Sequence, residues 1–199
     1  MAYTCQENFR TPMIEPWPIL DRKPIGDYRI FSLRKDTSRS PITGEAHNFF
    51  VVESPDWINV VPVTADGQVV LIRQYRHGTE EVTLEIPGGM VDLTDSSPAE
   101  SARRELLEET GYATAELVLI GSVAPNPAFL NNRCYTYLAL DVQQVSQPQL
   151  DGTEDIEFEL VQASHMAELV TTGQITHSLV IAAFYFYEQY RRERDKRSS

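Results

Sequence analysis

Three acidic side chains within one short segment are the residues best suited to chemistry. Glu105, Glu108 and Glu109 stand at positions i, i+3 and i+4 of RRELLEETGY. An α-helix, at about 100° per residue, places all three on an arc of roughly 100°. Like charges this close repel, and a hard divalent cation such as Mg²⁺ or Mn²⁺ relieves that repulsion. The spacing alone fits either a metal site or a solvated acidic helix face paired with Arg103 and Arg104.

A helix from Pro98 to Thr110 must position these carboxylates. Proline is favoured in the first turn of a helix, and Gly111 is a typical residue just beyond its last turn. Ala99, Ala102 and Leu106 fall together on a neighbouring arc and are suited to packing on a sheet. The carboxylates are therefore expected along the flank of the helix.

Strand-like segments surround this helix and predict its support. They read YRIFSL, NFFVVE, INVVPVT, QVVLIRQY, LVLIGSV, CYTYLALD and IEFELV, with Asp66-Gly67 as a hairpin turn. Two further helices are expected at about 165 to 171 and 178 to 192. This order predicts an α/β fold, in which helices cover a mixed sheet in one α/β/α domain over residues 27–199. Residues 1–26 contain four prolines and predict an extended arm.

The composition narrows the classes of partner. The chain of 199 residues has a net charge of -12, which argues against a nucleic-acid duplex or an anionic membrane surface as its partner. Two cysteines give no disulfide framework and favour a reducing, cytoplasmic setting. No apolar stretch approaches the length of a membrane span. His77 and His177 lack the spacing of a zinc-ligand pair, and we expect both to be polar neighbours of a binding pocket.

A loop, Gly88-Gly89-Met90-Val91-Asp92, is expected between Pro87 and the acidic helix. Gly89, Arg104-Glu105-Leu106, Glu108-Glu109 and Gly111-Tyr112 together resemble the Nudix box, G-x5-E-x7-R-E-U-x-E-E-x-G-U, in which U is a bulky apolar residue. LIRQYRHG, LEIPGG, GSVAPNPAFLNNR and EDIEFELV extend the resemblance over about residues 28 to 190. The sequence looks most like the branch of Nudix hydrolases that act on ADP-ribose and related nucleotide sugars.

The box departs from this pattern at one place. One more residue separates Gly89 from Arg104 than the motif has, and the middle glutamate is replaced by either Asp95 or Ser96. In the family that glutamate mainly holds the box arginine. We therefore expect a weakened tie between the loop and the helix, with the set of metal ligands intact.

The resemblance implies a fold, a cofactor and a reaction. The fold is the Nudix α/β/α sandwich, and Glu105, Glu108 and Glu109, with the carbonyl group of Gly88, would bind Mg²⁺ or Mn²⁺. Glu105 and Glu108 would also take part in catalysis. The expected reaction splits the diphosphate of a nucleotide sugar into a nucleoside monophosphate and a sugar phosphate.

Four residues outside the box are candidates for substrate binding. Arg76 is suited to a diphosphate, although a surface ion pair is the alternative. Glu85 resembles a family position near the substrate, and a hydrogen bond that holds the glycine loop is the alternative. Asn126 and Arg133 lie in a segment between two strands, where loops often bind ligands, and are suited to sugar or phosphate.

An acidic loop at residues 151–157 supplies a candidate general base. Glu154 is the first choice because its place in the EDI segment resembles the catalytic loop of the ADP-ribose branch, and Glu157 is the second. Gly152 stands where that branch often has another glutamate. The alternative is an ordinary polar loop before a strand.

The sequence leaves two other functions open and predicts one assembly state. The rival functions are hydrolysis of oxidised nucleoside triphosphates and a noncatalytic module that senses a nucleotide. The proline-rich arm, with Trp17, and the segment YRIFSL offer apolar surface to a second copy, and the resemblance to dimeric nucleotide-sugar hydrolases also suggests a homodimer.

Overall fold

The computed structural model describes residues 14–92, 94–150, 152 and 155–198, with side chains up to residue 197. Two compact units divide the chain between Glu53 and Ser54. Glu154 and residues 1–13 of the expected arm lie outside the described residues. The division into an arm of residues 1–26 and a domain of residues 27–199 stays a prediction.

The first unit is a three-stranded antiparallel sheet. Its strands, in the spatial order β1-β2-β3, are Ile19–Asp27, Ser32–Arg39 and Ala46–Glu53. The predicted strand YRIFSL was placed too early, because Tyr28 to Phe31 form the turn between β1 and β2. In that turn the Tyr28 amide donates to the Phe31 carbonyl, and Arg29 has a positive φ of 68°.

The second unit is built on a seven-stranded mixed sheet. Five strands follow the order β12-β5-β4-β10-β9, while β6 pairs with β5 and β7 pairs with β4. Strands β4 and β10 run parallel, and the other pairs are antiparallel. The strands are β4 Trp57–Val63, β5 Gln68–Arg76, β6 Glu81–Glu85, β7 Gly88–Met90, β9 Glu116–Val123, β10 Cys134–Leu140 and β12 Ile156–Gln162. A separate pair consists of β8 Tyr112–Ala113 and β11 Gln143–Gln144.

The described residues of this unit form three α-helices: α1 Pro98–Thr110, α2 Met166–Thr171 and α3 Ser178–Ser198. Leu106 and Ala102 of α1 are buried in one apolar cluster with Ile58 and Val70 of the sheet. Helix α3 is buried in a second cluster through residues spaced at helical intervals, namely Val180, Ala183, Phe184 and Tyr187. The sheet alternates its side chains between these two clusters, which confirms the expected α/β class. Among the described residues, no helix is long and apolar enough to cross a membrane.

Helix α1 has the ends that its sequence predicts. The Ser97 side chain accepts a hydrogen bond from the Glu100 amide, and Pro98 occupies the first turn. Gly111 follows the last turn with φ 74°, and its amide donates to the Leu107 carbonyl. A Cβ at Gly111 would lie 2.1 Å from the Ser146 carbonyl oxygen, so a side chain does not fit there. The predicted range from Pro98 to Thr110 is confirmed.

The glycine segment before the helix is a strand rather than the expected loop. Gly88, Gly89 and Met90 pair with Asn59, Ile58 and Trp57 of β4. Glycines weaken the sequence signal for a strand, and the partner lies about thirty positions upstream, so no local pattern predicts the pairing. The pairing fixes the glycine segment to the centre of the sheet.

Candidate active site

The acidic flank of α1 and the glycine strand line one cavity of about 750 Å³. Its wall includes residues predicted for the metal site and for phosphate binding, namely Arg76, Gly88, Glu105, Glu108 and Glu109. Helix α1 supplies the three glutamates because Ala102 and Leu106 hold its other side in the core. The structure therefore brings together the box glutamates, Gly88 and Arg76.

The two glycines allow the helix to lie close to β7. The Gly88 amide donates to Glu109 Oε2 at 3.0 Å, and Glu109 is only 3% exposed. A Cβ at Gly88 would lie 2.5 Å from the Ile58 carbonyl oxygen, and one at Gly89 would lie 2.6 Å from Glu105 Oε1. Glycine at both positions thus leaves room for the backbone of β4 and for the Glu105 carboxylate.

Arg104 lies among the carboxylates of this cavity. Its Nη1 donates to Glu105 Oε1 and to Glu108 Oε2, both at 2.9 Å. Partial burial lowers the pKa of Arg104, but the hydrogen bonds that it donates to Asp95, Glu105 and Glu108, together with the charge of Glu105, outweigh burial and raise the pKa overall. The arginine therefore stays charged and offsets the repulsion between the glutamates.

The donor set fits a hard divalent cation in its chemistry. Carboxylate oxygens, together with a backbone carbonyl, are the ligands that Mg²⁺ and Mn²⁺ prefer. As they stand, no three His, Cys, Asp or Glu side chains in the described parts of the chain are grouped to hold a metal ion. Glu105 and Glu108 point to Arg104, and Glu109 bonds to the Gly88 amide. A bound cation would have to compete with Arg104 for Glu105 and Glu108.

Asp95, not Ser96, bonds to the box arginine. Asp95 Oδ2 accepts hydrogen bonds from Arg104 Nε and Nη2 and from Ser101 Oγ at 2.7 Å. Hydrogen bonds from Ser101 and Arg104 lower the pKa of Asp95. The Ser96 hydroxyl bonds to Glu100 instead. The tie between the loop and the helix, which was expected to be weakened, is therefore made by a shorter acid in the place of the glutamate, through three hydrogen bonds to Asp95.

Arg76 and Glu85 form a two-point ion pair at the edge of the cavity. Arg76 Nε donates to Glu85 Oε1 at 2.8 Å, and Nη2 donates to Oε2 at 2.7 Å. Burial raises the pKa of the Glu85 carboxyl, but hydrogen bonds from Arg76 and Thr83 outweigh it, so the pKa is lowered. Glu85 is 2% exposed, whereas 41% of the Arg76 side chain is exposed. Glu85 thus holds one edge of the Arg76 guanidinium group, and the Arg76 side chain stays partly exposed.

A second cavity, of about 350 Å³, adjoins the first. The two share Arg76, Gly88, Gly89 and Met90 in their walls. Asn59 and His177 line the second cavity beside Glu85. His177 was expected only as a polar neighbour of a pocket, and Asn59 was not predicted as a site residue. The signal for Asn59 is its amide group within INVVPV, a strand segment that is otherwise apolar.

The remaining predicted residues lie away from these two cavities or outside the described residues. Asn126 caps a turn through its side chain, which accepts from the Ala128 amide. Arg133 donates to Ser122 Oγ at 3.0 Å. Neither residue lines either cavity, so their roles in substrate binding stay predictions. Glu157 is an exposed residue of β12, and Glu154 falls outside the described residues.

Comparisons with known proteins agree with this site. A model of the NUDIX domain matches residues 55–184. The chain is 29% identical over 154 residues to an ADP-ribose pyrophosphatase of Mycobacterium tuberculosis, covering 77% of this chain and 74% of that protein. It is 28% identical over 162 residues to an ADP-ribose pyrophosphatase of Bacillus subtilis, covering 78% of this chain and 86% of the relative.

The fold also matches a solved structure. A crystal structure of an ADP compounds hydrolase superposes with a TM-score of 0.81 and 21% identity, over 92% of this chain and 98% of the other. At this level of identity the likeness concerns the fold. The NUDIX match, however, covers more than half of the chain, and the sequence relatives agree with it. The chain therefore belongs to the NUDIX family and is a pyrophosphohydrolase, with ADP-ribose pyrophosphatases among its sequence relatives.

Proposed function

We propose that this protein hydrolyses the diphosphate of ADP-ribose or of a related nucleotide sugar, and that Mg²⁺ or Mn²⁺ is its cofactor. The products would be a nucleoside monophosphate and a sugar phosphate. The proposal rests on one observation: the three box glutamates, Gly88 and Arg76 all line the same cavity, the first of the two described above. ADP-ribose pyrophosphatases among the relatives support the choice of substrate.

Different side chains of the cavity bind the diphosphate and the cation. Arg76 presents its exposed edge to the diphosphate, because its other edge is held by Glu85. Glu105, Glu108 and Glu109, with the Gly88 carbonyl, would hold the cation. When bound, the cation would supply positive charge that neutralises the phosphates and favours deprotonation of the attacking water. Glu154 then accepts a proton from that water, and the leaving group departs as a phosphorylated moiety.

The protein is further proposed to act as a homodimer in the cytoplasm. Several apolar side chains of the first unit are exposed, including Trp17, Ile19, Leu20 and Phe50. Apolar side chains exposed in groups are typical of surfaces that bind another protein. Two cysteines in 199 residues are in keeping with a reducing compartment.

A substrate panel with phosphate-product analysis tests the proposed function. The panel contains ADP-ribose, ADP-glucose, GDP-mannose and 8-oxo-dGTP, each with Mg²⁺, and ³¹P NMR identifies the products. We expect AMP and ribose 5-phosphate from ADP-ribose. Faster release of pyrophosphate from 8-oxo-dGTP would favour the clearance of oxidised nucleotides instead. Tight binding of ADP-ribose without turnover of any compound would favour a sensor.

A further inference from the structure

The second cavity has no role in the metal site, yet it opens beside that site. It is bounded by Trp57 and Asn59 of β4, by Glu85, and by His177 and Leu179 at the start of α3. Its walls join those of the first cavity at Arg76 and at β7. A group attached to a diphosphate held at Arg76 can therefore enter this space without a long linker.

Two buried polar atoms in its lining are without hydrogen-bond partners. Asn59 is 7% exposed, and its Nδ2 donates to the Leu179 carbonyl at 3.2 Å. Within the described part of the chain, Asn59 Oδ1 and His177 Nδ1 have no hydrogen-bond partner. Glu85 Oε2 lies 3.7 Å from His177 Nδ1, beyond hydrogen-bond distance. Buried polar atoms without partners are uncommon, because each one costs desolvation free energy.

These atoms match a ligand that both donates and accepts hydrogen bonds. The Asn59 oxygen and the Glu85 carboxylate accept hydrogen bonds, whereas an imidazole nitrogen does either, depending on the tautomer. A hydroxyl group has one donor and two acceptor sites, and adjacent hydroxyls suit polar atoms that come from separate elements. A nucleobase is flat and usually stacks on aromatic rings, but among the described residues Trp57 is the one Phe, Tyr or Trp side chain that lines this cavity.

We propose that this cavity is a subsite for the sugar carried by the outer phosphate, with Asn59 and His177 bonded to its hydroxyl groups. The inference rests on the proposed function for the identity of the diphosphate substrate. The sugar hydroxyls donate to Asn59 Oδ1 and bond to His177 Nδ1. Arg76, at the shared wall, binds the phosphate that links the sugar to the first cavity. The subsite therefore selects nucleotide sugars over diphosphates without a hydroxylated group.

Equilibrium binding of reaction products tests the subsite without requiring turnover. Ribose 5-phosphate, AMP and inorganic phosphate are titrated calorimetrically into the full chain in one Mg²⁺ buffer. We expect ribose 5-phosphate to bind more tightly than inorganic phosphate, and Asn59→Ala to weaken it about tenfold, as expected for the loss of one or two hydrogen bonds. AMP and inorganic phosphate should bind the variant as they bind the wild type.

Asn132→Ala is the matched control. Asn132 is also a buried amide that donates to a backbone carbonyl, that of Pro55, and its Oδ1 likewise lacks a partner among the described residues. It does not line either cavity, so we expect no change in ribose 5-phosphate affinity. His177→Ala provides a second test if Asn59→Ala fails to fold, because 39% of the His177 side chain is exposed. We expect His177→Ala to weaken ribose 5-phosphate selectively as well.

Three results would overturn the subsite. They are equal affinity for ribose 5-phosphate and inorganic phosphate, a loss confined to AMP in the variants, and an equal loss in Asn132→Ala. Hydrolysis of ADP-ribose combined with any of these would reject the subsite and leave the proposed function standing. Selective binding of ribose 5-phosphate through Asn59, without hydrolysis of any nucleotide, would reject the proposed function and leave the subsite standing.

Discussion

Arg104 donates through both Nε and Nη2 to one oxygen of Asp95, at 3.2 and 3.1 Å. The same guanidinium group donates through Nη1 to Glu105 and Glu108. Asp95 therefore orients the guanidinium group of Arg104, which bonds to the box glutamates Glu105 and Glu108. An arginine held at several atoms has a defined position, so the glutamates that face it are also held in place.

Replacement of Asp95 tests this positioning role. We expect Asp95→Asn to lower kcat about tenfold, the size of effect common for partners of metal-site residues. Asp95→Glu restores the residue type of the family motif and should keep most of the activity. Ser96→Ala is the matched control, because Ser96 bonds to Glu100 rather than to Arg104. Steady-state kinetics of all three variants decide the point, and equal rates in Asp95→Asn and Ser96→Ala would argue against a role for Asp95.

Glu85→Gln should destabilise the protein in a manner that depends on pH. The variant loses the ion pair between the buried Glu85 carboxylate and Arg76. Because Arg76 is partly exposed, we expect the free energy of unfolding to fall by about 2 kcal/mol. Since folding lowers the pKa of Glu85, its stabilisation is present above the unfolded value of about 4.3 and is lost as pH falls through the folded value. The difference in unfolding free energy from the wild type should therefore shrink below about pH 4.

Urea denaturation between pH 3 and 7 measures this difference. Glu159→Gln is the control, because the Glu159 ion pair with Arg73 is more than 40% exposed on both sides. An exposed pair should contribute less than about 1 kcal/mol. Equal destabilisation by the two variants at pH 7 would contradict the larger stabilisation expected from the buried Glu85 carboxylate.

The acidic loop gives a prediction for proton transfer. We expect Glu154→Gln to lower kcat by about 10² to 10⁴, the usual contribution of a general base. Glu157→Gln should have a much smaller effect, because β12 alternates its side chains and Glu157 lies on the face opposite to Phe158, which packs in the α1 cluster. The acidic limb of the pH-rate profile should disappear in Glu154→Gln. Recovery of its rate by excess Mg²⁺ would identify a metal ligand instead.

The proposed homodimer depends on the first unit. Strand β1 is at one edge of its sheet and exposes Ile19, Leu20 and Ile25. We expect deletion of residues 1–26 to convert a dimer into a monomer at micromolar concentration. Light scattering coupled to size-exclusion chromatography measures the mass. A monomeric mass for the full chain would reject the prediction.

Local signals allowed part of this structure to be predicted from the sequence. Ser97, Pro98 and Gly111 act within one turn of the helix ends, so the bounds of α1 follow from nearby residues. The box glutamates share one flank because helical geometry alone determines their angular spacing. Sequence spacing was therefore sufficient to predict that the three carboxylates share one flank of α1, whereas their assignment to a site also depended on the resemblance to the Nudix box.

Contacts between segments distant in the sequence could not be predicted from local signals. The pairing of Arg76 with Glu85 depends on the register of β5 and β6, and the strand character of Gly88 depends on β4. Asn59 meets Leu179 across 120 positions. No local pattern predicts these neighbours, which is why the second cavity was not predicted.

We propose above all that the carboxylates of α1 hold a divalent cation required for cleavage of a nucleotide-sugar diphosphate. The most direct test of this proposal measures the rate of ADP-ribose hydrolysis by wild type and Glu108→Gln. In it, Mg²⁺ is titrated into protein freed of metal with EDTA. We predict no turnover without metal, AMP and ribose 5-phosphate on addition of Mg²⁺, and a higher Mg²⁺ requirement for Glu108→Gln. Undiminished hydrolysis in metal-free buffer, or the same Mg²⁺ requirement in both proteins, would contradict the claim.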